Sequence, residues 1–188
     1  MAPQEQSLGV ALVGADVLRA VAVLSLVVGA LGWGVVGAAL FLLVLGGTFL
    51  PRAVGAPAPL DLASCAAFLV GAWTALLGGY EAVGSLDLMV HVVATGLAAG
   101  LGVTTLERIG VLPADLPALG RGVSAVTLGA TLALLWELGE WAGSTWLDSG
   151  IRVGYTDTVG DLAAGLLGSA LAGAAYVVAA RQRVGEAR

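Results

Sequence analysis

Residues 12–50 read LVGADVLRAVAVLSLVVGALGWGVVGAALFLLVLGGTFL. Two apolar runs, Leu12–Leu31 and Val35–Leu50, flank the tripeptide Gly32-Trp33-Gly34. A helix needs roughly 20 apolar residues to cross a bilayer core, and two glycines around one aromatic residue are turn chemistry. The stretch reads as two membrane spans joined by a tight turn. Asp16 and Arg19 fall inside the first run, one helical turn apart; at that spacing they are expected to pair and to snorkel toward the interface.

The same pattern recurs downstream in Leu60–Leu77, Leu86–Thr105, Val123–Trp141 and Thr158–Ala180. The breaks between runs carry loop residues: Pro51-Arg52 with Pro57 and Pro59, then Gly78-Gly79-Tyr80-Glu81, then Pro113 and Pro117, then Ser149-Gly150. Composition agrees. A chain of 188 residues that is 59% hydrophobic and 11% charged is more apolar than a soluble domain can bury, so lipid must solvate it. The expected fold is an all-α integral membrane protein, a six-transmembrane-helix bundle forming one domain over residues 1–188. Met1 to Ser7 lacks the basic region of a secretory signal, so the first span is expected to be retained.

The cations are eight arginines and no lysine. Arg19, Arg52, Arg108, Arg121, Arg181, Arg183 and Arg188 fall on one side of this topology and only Arg152 on the other. The positive-inside rule then puts both termini in the cytoplasm, in the inner cell membrane. Trp33, Tyr80, Trp141, Trp146 and Tyr155 gather at the outer interface, where amphipathic rings are favoured. The net charge of −5 is spread among helix ends without an acidic or basic run, so no nucleic-acid partner is expected. Cys65 is the one cysteine, which excludes an internal disulfide and a cysteine metal cluster. Gly96 and Gly100 in the fourth run, and Ala164, Gly168 and Ala172 in the sixth, line up small residues that let helices approach closely. They suit packing inside one bundle or a homodimer seam; membrane lipid is the other expected partner.

The remaining polar residues concentrate at the outward ends of the last three spans. Asp87 and His91 are four apart, Glu137 and Glu140 three apart, and Asp157 and Asp161 four apart, so each helix presents a facing pair. With a rise of about 1.5 Å per residue, Asp87, Glu140 and Asp157 are shallow, and His91, Glu137 and Asp161 lie one turn deeper. A charged acid at mid-bilayer costs about 2.5–3.5 kcal/mol, so these groups are expected to face one another or water. Five carboxylates beside one imidazole cannot all stay ionised at neutral pH without a cation, so either several are protonated or a metal is present. Oxygen donors with one nitrogen suit Mg²⁺, Mn²⁺, Fe²⁺ or Zn²⁺, and carboxylate pairs on facing helices build metal sites in bundles. The expected metal ligands are Asp87, His91, Glu137, Glu140, Asp157 and Asp161. Asp157 with Thr158 also suits the N-terminal cap of its helix.

At these blocks (Asp87 to His91, Trp136 to Trp141, Tyr155 to Asp161) the chain resembles the YjdF-like family of small inner-membrane proteins and, more distantly, the VanZ-like proteins associated with glycopeptide resistance. The resemblance implies a membrane location and a shared polar pocket, and it supplies no reaction. Leu88 stands where it implies a basic residue, and Gly165 where it implies a polar one.

Three functions follow from the residues. One is a metal-dependent membrane enzyme acting on a lipid or envelope substrate, with Glu137 as catalytic base and Arg152 holding an anionic group. Another is a non-catalytic envelope-binding or accessory protein. The last is a small ion- or proton-coupled transporter, for which the inner halves of the spans offer only Thr95, Thr104, Thr127 and Thr131. No HExxH motif and no nucleophile elbow is present.

Overall fold

The computed structural model describes the backbone of residues 3–186 and, within it, the side chains of residues 14–182. The side chains of Met1 to Ser7, of Leu12, and of Arg183 and Arg188 from the charge count lie outside the described residues. The described chain is helical throughout: α1 Pro3–Ala53, α2 Ala58–Leu76, the short α3 Gly79–Ala82, α4 Leu86–Arg108, α5 Ala118–Trp146 and α6 Tyr155–Glu186. Five helical segments are long and apolar enough to cross a membrane: Gly14–Ala53, Ala58–Leu76, Leu86–Arg108, Ala118–Trp146 and Tyr155–Gln182.

The first of these covers 40 residues. As one straight helix it would measure about 60 Å, twice the thickness of a bilayer core. It is broken at Gly34, whose φ of 61° and ψ of −138° are open to a residue without Cβ. The two arms fold back on each other: a side chain at Gly29 would strike the Phe41 ring, and Arg19 Nε donates to the Thr48 carbonyl at 2.9 Å across 29 positions. The Gly-Trp-Gly turn therefore lies where the sequence placed it. Pro51 belongs to the last turn of α1 rather than to the loop, because a missing amide near a helix end costs one hydrogen bond and leaves the rest intact.

Packing divides the chain into two units. One runs to Leu86 and takes in Ala142–Ile151; the other comprises Asp87–Trp141 and continues from Arg152. In the first unit Ala22, Phe41, Val44, Leu69 and Ala72 form the apolar core. Beside it, Trp73 Nε1 donates to Ser25 Oγ at 3.0 Å, and Trp73 meets Trp33 edge-on with ring centres 6.0 Å apart.

Arg19 departs from expectation. It pairs with Asp16 at 2.8 Å, but it does not snorkel: it is 3% exposed, and its other nitrogens reach the Thr48 carbonyl and Asp61 on α2. Asp61 itself is 2% exposed. Its carboxylate sits 42 positions away in sequence and still offers a nearer partner than water, which removes the reason to snorkel.

In the second unit α4, α5 and α6 close through small residues. A Cβ on Gly96 would lie 2.9 Å from the Gly168 carbonyl, and one on Gly122 would lie 2.9 Å from the Gly173 carbonyl. The Tyr176 hydroxyl donates to the Gly100 carbonyl at 3.4 Å, so α4 and α6 run parallel. Gly122 faces Gly173, Gly129 faces Ser169 and Ala133 faces Gly165, so α5 runs antiparallel to α6. Ala99, Val103 and Ala125 fill the interior. At the end of this unit where α5 begins, Arg121 Nε donates to Glu107 Oε1 at 2.5 Å.

Candidate metal centre

The register just described fixes what happens at the other end of the second unit. Gly165 packs against Ala133 and Thr95. One turn further toward the end where α4 begins, each helix carries a polar residue: His91 on α4, Glu137 on α5 and Asp161 on α6. Glu137 is 7% exposed and Asp161 is 3% exposed, whereas Glu140, Asp157 and Asp87 are half-buried. His91, placed in the deeper layer by helical rise, is half-buried like the three shallow residues, so burial separates only Glu137 and Asp161 from the rest.

Three ligand atoms converge. One atom each from Asp87, His91 and Asp161 lies within 4.8 Å of the other two. His91 Nε2 stands 3.5 Å from Asp87 Oδ1 and 3.9 Å from Asp161 Oδ1. In a tetrahedral site with bonds of about 2.0–2.2 Å, ligand atoms stand roughly 3.3–3.6 Å apart. The Asp87–His91 spacing brings two of these groups together within α4; α6 supplies the third by packing parallel to it.

Glu137 does not belong to that triad, but it lies within electrostatic range of Asp161, Asp157 and Asp87. Thr158 stands near its carboxylate, yet Oε1 is buried and without a hydrogen-bond partner among the described residues. Leaving a buried polar oxygen unpaired costs more than a typical hydrogen bond returns. Glu140 lies within electrostatic range of Glu137, Asp161 and Asp87, with the Trp136 side chain one turn earlier. Asp157 falls inside the first turn of α6, past the cap position proposed from sequence, where its charge favours the helix N-terminus. Arg152 is exposed on the loop ahead of α6.

Two residues at which the family resemblance fails have local explanations. A Cβ on Gly165 would lie 2.8 Å from the Ala133 Cβ and 3.3 Å from Thr95 Oγ1, so this position has no room for a polar side chain. Leu88 packs over Gly160, with Cδ2 3.3 Å from where a Cβ there would stand. Sequence reasoning missed Thr158 and Trp136 as polar neighbours of the acids, although Trp136 is one turn from Glu140 on the same helix. It also missed Asp61, whose one signal was an acid in the first turn of an apolar helix.

A family model for a predicted membrane protein matches residues 11–183, which include both polar clusters and all five long apolar segments. No curated protein and no solved structure matches the chain.

Proposed function

The chain belongs to DUF2238, a family of predicted membrane proteins, and from that premise we propose that the polar end of α4, α5 and α6 is a divalent-cation site serving chemistry on a lipid or envelope substrate. The observation that carries the reading is the convergence of Asp87, His91 and Asp161 from two helices to within 4.8 Å. A cation held there would polarise a phosphoryl or carbonyl oxygen and make a bound water acidic. Arg152, on the loop before α6, is the group that would hold an anionic headgroup. The likeness to the YjdF-like proteins fits this setting.

In this reading the two arms of α1 count separately, which makes six spans. Both termini face the cytoplasm of the inner cell membrane, and the metal end faces outward. A single cysteine placed at Asp148 in a Cys65→Ser background then reacts with an impermeant thiol reagent added outside intact cells, and one placed at Arg52 does not. The reverse pattern inverts the topology and removes the outer-leaflet substrate.

Transport is disfavoured by the layer directly beneath the site, where Gly165, Ala133 and Thr95 pack without room for even one added methyl group. The site reading is tested by elemental analysis of the purified full-length protein beside Asp161→Asn and His91→Ala. The wild type is expected to retain a stoichiometric divalent ion that both variants lose. A wild type without metal would reduce the cluster to a structural or accessory role.

A further inference from the structure

Away from the polar end, the packing of α5 against α6 leaves a furrow on the surface of the second unit. Gly122 and Gly173 are buried at its floor, where a Cβ on Gly173 would lie 2.7 Å from the Gly122 carbonyl, so the two backbones touch. Leu119, Val123, Val126 and Val177 form its walls. The furrow measures about 350 Å³ and runs on past Val177 into a second hollow of about 380 Å³, bounded by Ala118, Ala180 and Arg181. Its one polar side chain short of Arg181 is Thr127, whose hydroxyl donates to the Val123 carbonyl at 3.0 Å.

Length and charge say what fits. From Ala170, the far end, to Arg181 the helix rises about 16 Å, and half of a bilayer core is about 15 Å. The furrow is therefore as long as one leaflet is thick, with a cation at its end. Arg181 is exposed and makes no hydrogen bond or ion pair among the described residues, whereas Arg121, at the same end of the unit, is held by Glu107 and the Ala114 carbonyl.

We propose that this furrow seats one acyl chain of an anionic phospholipid, with the lipid's phosphate on Arg181. A guanidinium binds phosphate by paired, charge-assisted hydrogen bonds. Charge also decides against the other occupant that a glycine floor invites. A second copy packed furrow to furrow about a twofold axis would bring two Arg181 side chains to one interface, where like charges oppose association; an anionic lipid brings the opposite charge. The seat lies at the other end of the unit from the metal triad and does not depend on it. In the topology proposed above it belongs to the cytoplasmic leaflet.

The purified full-length protein in detergent is mixed with equal amounts of dioleoyl phosphatidylglycerol and dioleoyl phosphatidylcholine at a low lipid-to-protein ratio, and the first bound lipid is identified by native mass spectrometry. The wild type should retain phosphatidylglycerol over phosphatidylcholine by about fivefold, the ratio given by roughly 1 kcal/mol for one arginine near anionic headgroups. Arg181→Gln should bring the ratio close to one. Ala174→Phe, at an exposed position on the furrow, should fill it and lose both lipids with the melting temperature unchanged. Val123→Trp, exposed on the opposite helix, should do the same and guards against a packing defect in the first variant. Equal retention by the wild type, or a preference that survives Arg181→Gln, overturns the proposal. A preference untouched by both filling variants also overturns it, because the lipid then sits elsewhere. So does a two-chain mass that these variants abolish, because a second copy then covers the furrow.

Discussion

Two clusters of charged residues sit inside apolar helices of this protein, and they are built on opposite principles. In the first unit Asp16, Arg19, Arg52 and Asp61 form a closed quartet. Arg19 bonds Asp16, Asp61 and the Thr48 carbonyl, Arg52 bonds Asp16, and the two guanidiniums match the two carboxylates in charge. In the second unit the carboxylates of Asp87 and Asp161 stand beside one imidazole, and a buried oxygen of Glu137 has no hydrogen-bond partner among the described residues. The first cluster is complete with its own chain's atoms. The second gathers acids without a matching set of guanidiniums, which is why the proposed ligand site is placed there and not at the quartet.

The largest effect should come from opening the closed quartet. Arg19→Ala leaves Asp61 buried without its cation and should cost about 3–5 kcal/mol in denaturant unfolding of the solubilised protein. Replacing the pair together, Arg19→Met with Asp61→Leu, should recover most of that loss, since a buried pair is often no more stabilising than apolar side chains of similar size. A double variant as unstable as the single one would show that the quartet does more than hold helices.

Next comes the response to metal, which should divide the clusters cleanly. At a hundred times its dissociation constant a cation bound by the folded state alone adds about 2.7 kcal/mol per site. The wild type and the Arg19→Met/Asp61→Leu variant should both show this gain in melting experiments, and EDTA should reverse it. His91→Ala should show none. A gain that survives in His91→Ala would place the cation away from the triad.

Removing a carboxylate from the unbalanced cluster should matter less to folding. Without metal, Asp161→Asn should change stability by less than about 1 kcal/mol, because relief from the neighbouring carboxylates Asp87 and Asp157 offsets the weakened contact with His91. A loss as large as that of Arg19→Ala would make the acid cluster another structural clasp. The smallest effect is expected for Arg52→Gln, whose half-exposed pair with Asp16 is screened by water. Its unfolding midpoint should coincide with that of the wild type.

The legible part of the site was the part written within single helices. Asp87 and His91 four apart, Glu137 and Glu140 three apart, and the deeper position of His91, Glu137 and Asp161 all follow from helical spacing and rise. The closed quartet was half legible. Asp16 and Arg19 meet through local spacing, but Arg19 finds Asp61 only because α2 packs against α1. Nothing near Arg19 in sequence announces a carboxylate 42 positions away.

By itself, then, the sequence determined that this is a membrane protein of apolar helices, where the Gly-Trp-Gly turn falls, and which faces carry acid pairs. Hydrophobic length and helical periodicity are properties of contiguous residues. Only the tertiary structure decided that Asp161 joins Asp87 and His91 while Glu137 keeps a buried oxygen without a hydrogen-bond partner among the described residues. Those outcomes depend on the register in which Gly96, Gly165 and Gly168 let three helices close, and register is set by contacts between residues far apart in the chain.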